Sequence, residues 1–149
     1  MIGLLQRITN AHVAVNGETV AAIGAGLLVL VAIQRGDGKA QADRLLERLL
    51  SYRVFVDAAG KMNRDLGDVG GGLLLVPQFT LAADTAKGTR PSLGAAAAPA
   101  AGKVLFDYLL TQARAAHDPV AAGQFGAHML VSLTNDGPVT FWLEVPPAF

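Results

Sequence analysis

The first third of the chain alternates between short apolar runs and turn residues. Residues 2–8 and 12–15 have the length and composition of short strands, and an Asn-Gly pair at positions 16–17 precedes another at residues 20–23. Asn-Gly is typical of a two-residue hairpin turn. Residues 27–33 are apolar without interruption, which indicates a strand buried on both faces. These patterns predict a β-rich beginning that leads to the central strand of a sheet.

Two helices are predicted by apolar positions three and four residues apart. The first begins after Asp37 or Gly38 and runs from residue 39 to about 52; the apolar positions of its face are Ala42, Leu45, Leu46, Leu49 and Leu50. The second begins at Pro99 and runs to about residue 116, with Val104, Leu105, Tyr108, Leu109 and Ala113 predicted to be buried. Residues 54–56 and 73–76 read as strands between them. This order predicts one α/β or α+β domain over residues 1–149, with helices on one side of a mixed sheet.

Residues 135–140 read Asn-Asp-Gly-Pro-Val-Thr between two apolar runs, 129–133 and 139–143, and predict a final hairpin with a tight turn. Gly137 precedes Pro138, and an X-Pro bond adopts the cis form at modest cost. Two rigid, outward-facing carbonyls here could accept hydrogen bonds from the amino group of a small substrate. The same residues are typical of an ordinary hairpin connection, so the turn alone leaves both interpretations open.

Composition narrows the class of protein. The chain has 149 residues, 52% hydrophobic and 16% charged, as expected of a globular domain. No apolar run approaches the ~20 residues of a membrane span, and no secretory signal is apparent, so we expect a soluble cytoplasmic protein. Zero cysteines exclude disulfides. Twelve basic and 12 acidic residues balance, which argues against a general electrostatic nucleic-acid binder but leaves room for a local basic patch.

Few motifs point to catalysis. Gly70-Gly71-Gly72 lacks the Lys that follows in a phosphate-binding loop, and His12, His117 and His128 have no metal-ligand spacing, so no metal and no cofactor are expected.

Gln78 and Thr80 follow a buried strand and would project to the same side of it, opposite Phe79. An amide, a hydroxyl and nearby backbone N–H groups would suit an oxyanion, but they would equally serve to end a strand. No neighbouring base accompanies Thr80, so spacing does not make it a nucleophile.

Several segments together resemble the D-aminoacyl-tRNA deacylase family over residues 1 to about 145. They are positions 4–7 (Leu-Leu-Gln-Arg), 23–30, 61–63 (Lys-Met-Asn), 77–81 (Pro-Gln-Phe-Thr-Leu), 90–92 (Arg-Pro-Ser) and 135–140. The resemblance implies a barrel-like mixed sheet and a cytoplasmic homodimer that hydrolyses the ester between a D-amino acid, or glycine, and the tRNA 3′ end.

The resemblance also implies roles for individual residues. Gln78, Phe79 and Thr80 would be catalytic pocket residues, with backbone N–H groups near Phe79 polarising the ester carbonyl. Gly137 and Pro138 would form a cis turn that enters the partner's pocket, holds the substrate amino group and excludes an L side chain. The remaining substrate-binding positions would be Arg7, which supports that turn, together with Pro77 and Met129. The 2′-hydroxyl of the terminal adenosine is thought to assist hydrolysis in this family.

One position departs from the family, whose members usually have serine where this chain has Pro77. A paralogous group that removes L-alanine from tRNA also has proline there. Phe79, Arg7 and residues 136–140 follow the D-specific pattern, which favours that reading. Lys87 and Arg90, in the loop after the pocket motif, are the predicted tRNA contacts, although a solvated loop reads the same way. A noncatalytic RNA- or nucleotide-binding module and a threonine-dependent esterase or peptidase remain as alternatives.

Overall fold

The first two predicted strands form one strand. A computed structural model describes residues 1–148, and in it β1 (Ile2–Val15) is continuous. It continues past residue 8 because β8 (Leu130–Glu144) pairs with it from Ile2 to Ala14. The Asn-Gly turn connects β1 to β2 (Glu18–Ile23), with Val15 opposite Glu18, as the sequence predicts.

The sheet is mixed and has β3 (Gly26–Ala32) at its centre, as predicted. β3 runs antiparallel to β1 and parallel to β6 (Gly72–Pro77), and β6 is parallel to β7 (Val120–Ala122). The strand order is β2-β1-β3-β6-β7, with β8 beside β1. β4 (Phe55–Val56) and β5 (Met62–Arg64) form a separate hairpin.

The final hairpin predicted from residues 129–143 is wrong. Both apolar runs belong to β8, and both pair with β1: Leu133 with Ala11, and Phe141 with Leu5. Residues 136–139 have no partner on β1 and bulge out of the strand. Because both flanks have a long strand to pair with, they do not need to pair with each other.

The helices lie close to the predicted bounds: α1 spans Lys39–Ser51 and α3 spans Pro99–Ala116, with a short α2 (Leu66–Val69) that the sequence pattern did not predict. α1 buries Ala42, Leu45, Leu46 and Leu49, as predicted. The predicted face of α3 is correct at Leu109 and Ala113, which are buried, and Leu105 and Tyr108 are partly buried. Phe106 is buried and Val104 is 68% exposed, because the packed row follows Gly102, Phe106, Leu109 and Ala113.

The core has a layer on each face of the sheet because successive side chains of a strand point to opposite faces. Leu27 and Val29 of β3 pack with α1 and α3 through Leu45 and Phe106, so both helices cover one face. Leu28 packs on the other face, inside the curved sheet. The buried residues that pack with it there are Ile8, Ala11, Val13, Ala21, Leu74 and Val76. The fold is therefore an α/β structure with a nearly closed mixed sheet.

Glycine allows the sheet to close where β3 and β6 begin. Gly26 has φ +155°, and a Cβ on it would lie 2.0 Å from the carbonyl oxygen of Gly72. A Cβ on Gly72 would in turn lie 3.1 Å from Cβ of Ile23, at the end of β2. Only residues without side chains let these backbones approach so closely.

Candidate active site

The pocket motif lies where β6 ends. Pro77 is opposite Val31 in the parallel ladder, and the Gln78 amide donates to the Val31 carbonyl over 2.7 Å. The chain then turns into a 3-10 helix, Phe79–Ala82, so Gln78 and Thr80 are not in a strand as predicted. The two side chains nevertheless meet, since the Gln78 Nε2 amide donates to the Thr80 hydroxyl oxygen.

This short helix leaves two backbone donors free. Among residues 1–148, the amides of Phe79 and Thr80 donate no hydrogen bond, whereas the next amide, of Leu81, donates to the Gln78 carbonyl. Unpaired N–H groups are expected in the first turn of any helix. Here Phe79 lines a cavity and Thr80 is the next residue, so these amides could donate to a ligand oxygen.

The cavity beside β6 has a volume of about 440 Å³ and combines four parts of the chain. Of the predicted site residues, it brings together Pro77, Gln78, Phe79 and Met129, while Thr80 is not part of the wall. The other lining residues are Val31, Ile33, Val76, Ala97, Pro99, Gly102, Phe125, Gly126, Ala127, His128 and Val131. Its wall is mostly apolar, and Phe79 is 58% exposed.

The loop before β8 is the part of the wall that the sequence did not predict. Residues 125–128 line the cavity, including His128, for which the sequence pattern predicts no role. The Gly-Gln-Phe-Gly run at positions 123–126 was the available signal. A Cβ on Gly123 would lie 2.8 Å from the Met129 sulfur and 3.4 Å from Cδ of Pro77. Glycine at position 123 therefore leaves the space that Met129 occupies beside Pro77.

The bulge at residues 136–139 is held by Arg7. Its Nε donates to the Asp136 carbonyl over 2.9 Å, and its Nη1 donates to the Val54 carbonyl over 2.7 Å. The Asp136 carboxylate lies 3.7 Å from the same Nε. Arg7 thus links the bulge to the segment that leads into the β4–β5 hairpin.

Asn135 closes the bulge from inside, a role that the sequence did not predict. The Val139 amide donates to its Oδ1 over 2.7 Å, and its Nδ2 donates to the Thr140 hydroxyl over 2.9 Å. The Gly137–Pro138 bond is cis. Gly137 has φ +142°, and a Cβ on it would lie 2.9 Å from the Val139 nitrogen, so the position requires glycine.

The cavity and the bulge are separate in one chain. Gly137, Pro138 and Arg7 are absent from the cavity lining among the described residues. Gly137 and Pro138 are exposed and unpaired with β1. The chain thus carries an apolar cavity with free amides in one place and a projecting turn in another.

The two predicted tRNA contacts lie in one exposed loop. Asp84 and Ser92 close its base with two backbone hydrogen bonds of 2.8 and 3.0 Å. Lys87 and Arg90 lie between them and are exposed, and neither belongs to an ion pair among residues 1–148.

Thr80 has no base beside it. Within the described chain its hydroxyl is bonded to the Gln78 amide, which does not take up a proton at neutral pH. The Met1 ammonium is engaged elsewhere: it donates to Asp37 Oδ1 over 2.8 Å, to Gln34 Oε1 over 3.0 Å and to the Val145 carbonyl over 2.6 Å. The arrangement does not favour a threonine nucleophile.

The Lys-Met-Asn segment at positions 61–63 has a local role in the β4–β5 hairpin. The Asp57 carboxylate accepts from the Asn63 side-chain amide over 3.0 Å and from the Lys61 and Ala59 amides. The Asn63 hydrogen bond and then that of Lys61 are the main causes that lower the pKa of Asp57.

Residues 1–148 contain neither a cluster of metal ligands nor a membrane-spanning helix. No group of three or more His, Asp or Glu side chains there is placed to hold a metal ion. None of the helices there has the length and apolar content needed to cross a membrane.

Comparison with known proteins finds a matching family. The family model of D-Tyr-tRNA(Tyr) deacylase matches residues 4–144. A D-aminoacyl-tRNA deacylase of Thioalkalivibrio sulfidiphilus is 66% identical over 147 residues, 99% of each chain. One of Nitrosococcus oceani is 66% identical over 148 residues, covering 99% of this chain and 96% of the relative.

Solved structures agree with this fold. A protein described as c-Myc DNA Unwinding Element Binding Protein superposes with a TM-score of 0.94 at 36% identity, over 98% of this chain and 99% of that one. A probable eukaryotic D-amino acid tRNA deacylase superposes with a TM-score of 0.83, over 97% of this chain and 98% of the other. At 19% identity, this second likeness supports the fold alone.

Proposed function

Because the chain belongs to the D-aminoacyl-tRNA deacylase family, a family of hydrolases that act on aminoacyl-tRNA, we propose that its cavity binds the aminoacylated 3′ end and discriminates D- from L-amino acids. The observation that carries the proposal is the free amide of Phe79, a residue of the apolar cavity wall, next to a second free amide at Thr80. An ester carbonyl becomes an oxyanion during hydrolysis, and such donors stabilise it most in a site that excludes water.

In the proposed reaction, water attacks the ester carbonyl carbon and loses a proton, the bond to the ribose oxygen breaks, and that oxygen takes up a proton. The D-amino acid and tRNA then leave. The Phe79 and Thr80 amides hold the carbonyl oxygen, and Gln78 fixes the Thr80 hydroxyl at the edge of the site. We propose that the 2′-hydroxyl of the terminal adenosine assists, because the Thr80 hydroxyl is bonded to the Gln78 amide and not to a base. The reaction belongs in the cytoplasm, where aminoacyl-tRNA is used.

Selection against L-amino acids is assigned to the bulge. The exposed carbonyls of Gly137 and Pro138 are suitable acceptors for the substrate ammonium. With the ammonium and the ester carbonyl both held, inverting the α-carbon turns the side chain from open space into rigid backbone. Glycine has no side chain to reject, so glycyl-tRNA is a proposed second substrate.

The separation of bulge and cavity supports a homodimer. In one chain, the residues of the bulge do not line the cavity. We therefore propose that the bulge of each subunit enters the cavity of its partner, and that Arg7 and Asn135 hold it in shape for this purpose.

Lys87 and Arg90 are the proposed contacts to tRNA phosphates. Both are exposed on the loop that follows the 3-10 helix. Reversing the charge with Arg90→Glu is expected to weaken tRNA binding and to flatten its salt dependence by roughly one phosphate contact. A titration over a salt series checks this, and unchanged affinity at every salt concentration would remove Arg90 from the interface.

The function is tested by hydrolysis of D-tyrosyl-tRNA, L-tyrosyl-tRNA, L-alanyl-tRNA and glycyl-tRNA under one set of conditions. We expect release of D-tyrosine and glycine with both L forms spared. Preferential release of L-alanine would instead assign the paralogous activity that Pro77 also fits. Binding of tRNA without hydrolysis of any substrate would make the protein a noncatalytic RNA-binding module.

A further inference from the structure

A second groove adjoins the cavity. It has a volume of about 510 Å³ and lies between the end of β3, the 3-10 helix and the start of α3. Its lining residues are Arg35, Phe79, Leu93, Ala96, Ala97, Ala98 and Pro99. Three of these, Phe79, Ala97 and Pro99, also line the cavity, so the two spaces share a wall. A ligand chain that begins in the cavity can continue into the groove.

Arg35 is the one ionisable residue in the groove wall, and its backbone is fixed on both sides. The Arg35 amide donates to the Ala95 carbonyl over 2.9 Å, and the adjacent Gln34 forms a bridge with Ala96. The Arg35 side chain is exposed and belongs to no ion pair among residues 1–148. A positive charge is thus held at the groove without a carboxylate to neutralise it.

The rest of the wall is apolar. Phe79 is 58% exposed and Leu93 is 40% exposed, so two large apolar side chains at the groove are open to a ligand. An exposed aromatic ring beside a guanidinium is the combination that binds single-stranded nucleic acid: the ring stacks on a base, and the arginine pairs with a phosphate.

We infer that the groove binds the nucleotide preceding the terminal adenosine of the tRNA, with Arg35 on the phosphodiester that joins the two and Phe79 and Leu93 against the base. The inference rests on the proposed function, which places the terminal adenosine in the cavity. The groove volume lies within the ~300–1,000 Å³ of ordinary ligand pockets. The enzyme would then contact the single-stranded 3′ end of the tRNA beyond the nucleoside that carries the amino acid.

The test compares two substrates that differ only beyond that nucleoside: D-tyrosyl-tRNA and 2′(3′)-O-D-tyrosyl adenosine. Arg35→Ala is expected to lower kcat/KM for the tRNA about tenfold at low salt, while kcat/KM for the adenosine ester changes less than about twofold. Arg114→Ala is the matched control, since Arg114 is an exposed cation on α3 that lines neither space. Unchanged thermal unfolding shows that the variants are folded.

Equal loss on both substrates would place the effect of Arg35 at the reaction centre and overturn the inference, as would no loss on either. A binding measurement separates this from failure of the proposed function. A labelled single-stranded RNA ending in CCA should bind Arg35→Ala more weakly than the parent protein, and equal binding overturns the inference. If this difference appears but D-tyrosyl-tRNA is not hydrolysed, the result supports RNA binding in the groove and overturns the proposed hydrolysis.

Discussion

The Thr80 hydroxyl has an amide, and no base, as its hydrogen-bond partner. Removing an enzyme's nucleophile lowers kcat by ~10⁶-fold, whereas removing a group at the edge of a pocket has a small effect. We therefore expect Thr80→Ala to keep kcat within about tenfold of the parent on D-tyrosyl-tRNA. Single-turnover hydrolysis measures this directly, and a loss of four or more orders of magnitude would restore Thr80 as the nucleophile.

At the scale of single residues, the sequence predicted several residues of the site but not which other residues they contact. The pattern predicted Pro77, Gln78 and Phe79 as the end of a strand, and the family resemblance implied that they lie in a pocket; they line the cavity. His128 and Phe125 were not, since a loop of irregular conformation has no period from which its direction can be read. The role of Asn135 was equally hidden, because asparagine in a turn usually signals only the turn.

Among the elements, the bulge of β8 makes the clearest prediction. Asn135→Ala removes the acceptor of the Val139 amide and the donor to Thr140, so the bulge loses its internal clamp. We expect kcat/KM for D-tyrosyl-tRNA to fall at least tenfold, while the free energy of unfolding falls by only about 1–2 kcal/mol.

The neighbouring Thr134, exposed on the same strand, provides the control. Thr134→Ala should leave kcat/KM unchanged. Equal activity of the Asn135 and Thr134 variants would show that the shape of the bulge does not matter for turnover.

The β4–β5 hairpin gives a prediction about pH. A carboxylate whose pKa is lowered in the folded state stabilises the protein above its unfolded pKa, and this stabilisation is lost as the pH falls through the folded value. Asn63→Ala removes the largest cause of the lowered pKa of Asp57. The parent should therefore unfold at a higher temperature than the variant at pH 7, and the difference should shrink in acid.

Thermal unfolding from pH 7 to pH 2 measures this difference. Asn10→Ala is a matched exposed asparagine, whose amide contacts only the neighbouring Thr9 hydroxyl, and should give no pH-dependent difference. A gap between parent and Asn63→Ala that is constant at every pH would mean that Asn63 acts through packing and not through Asp57.

The helices and strands show which parts of the fold the hydrophobic pattern can predict. The apolar run of β3 and the spacing of α1 predicted both elements nearly to their ends, because burial on two faces or along one stripe leaves a regular pattern. The same reasoning failed for β8. Two apolar runs around a turn have one sequence pattern whether they pair with each other or both pair with a third strand, and only the length of β1 decides between these arrangements.

For the whole molecule, the proposed exchange of bulges between subunits predicts complementation. Phe79→Ala alters the cavity and Gly137→Ala alters the bulge, and each homodimer should be impaired by at least tenfold. In a heterodimer, one site would combine the intact cavity of one subunit with the intact bulge of the other. Random mixing after refolding should give about one quarter of parental activity, since half the dimers are mixed and each has one complete site of two.

The control is each variant refolded alone. If a mixture is only as active as the mean of its components, the cavity and bulge of a single chain act together, or the bulge is not needed.

The bulge of β8 also has a consequence for how this protein could evolve. Its flanks pair with β1 on both sides, whereas residues 136–139 pair with no residue of β1. Within the limits set by Gly137 and by the contacts of Arg7 and Asn135, residues could be exchanged there without shifting the register of the flanks or disturbing the buried layers. Substrate preference could then drift in one short segment while the fold that carries it stays the same.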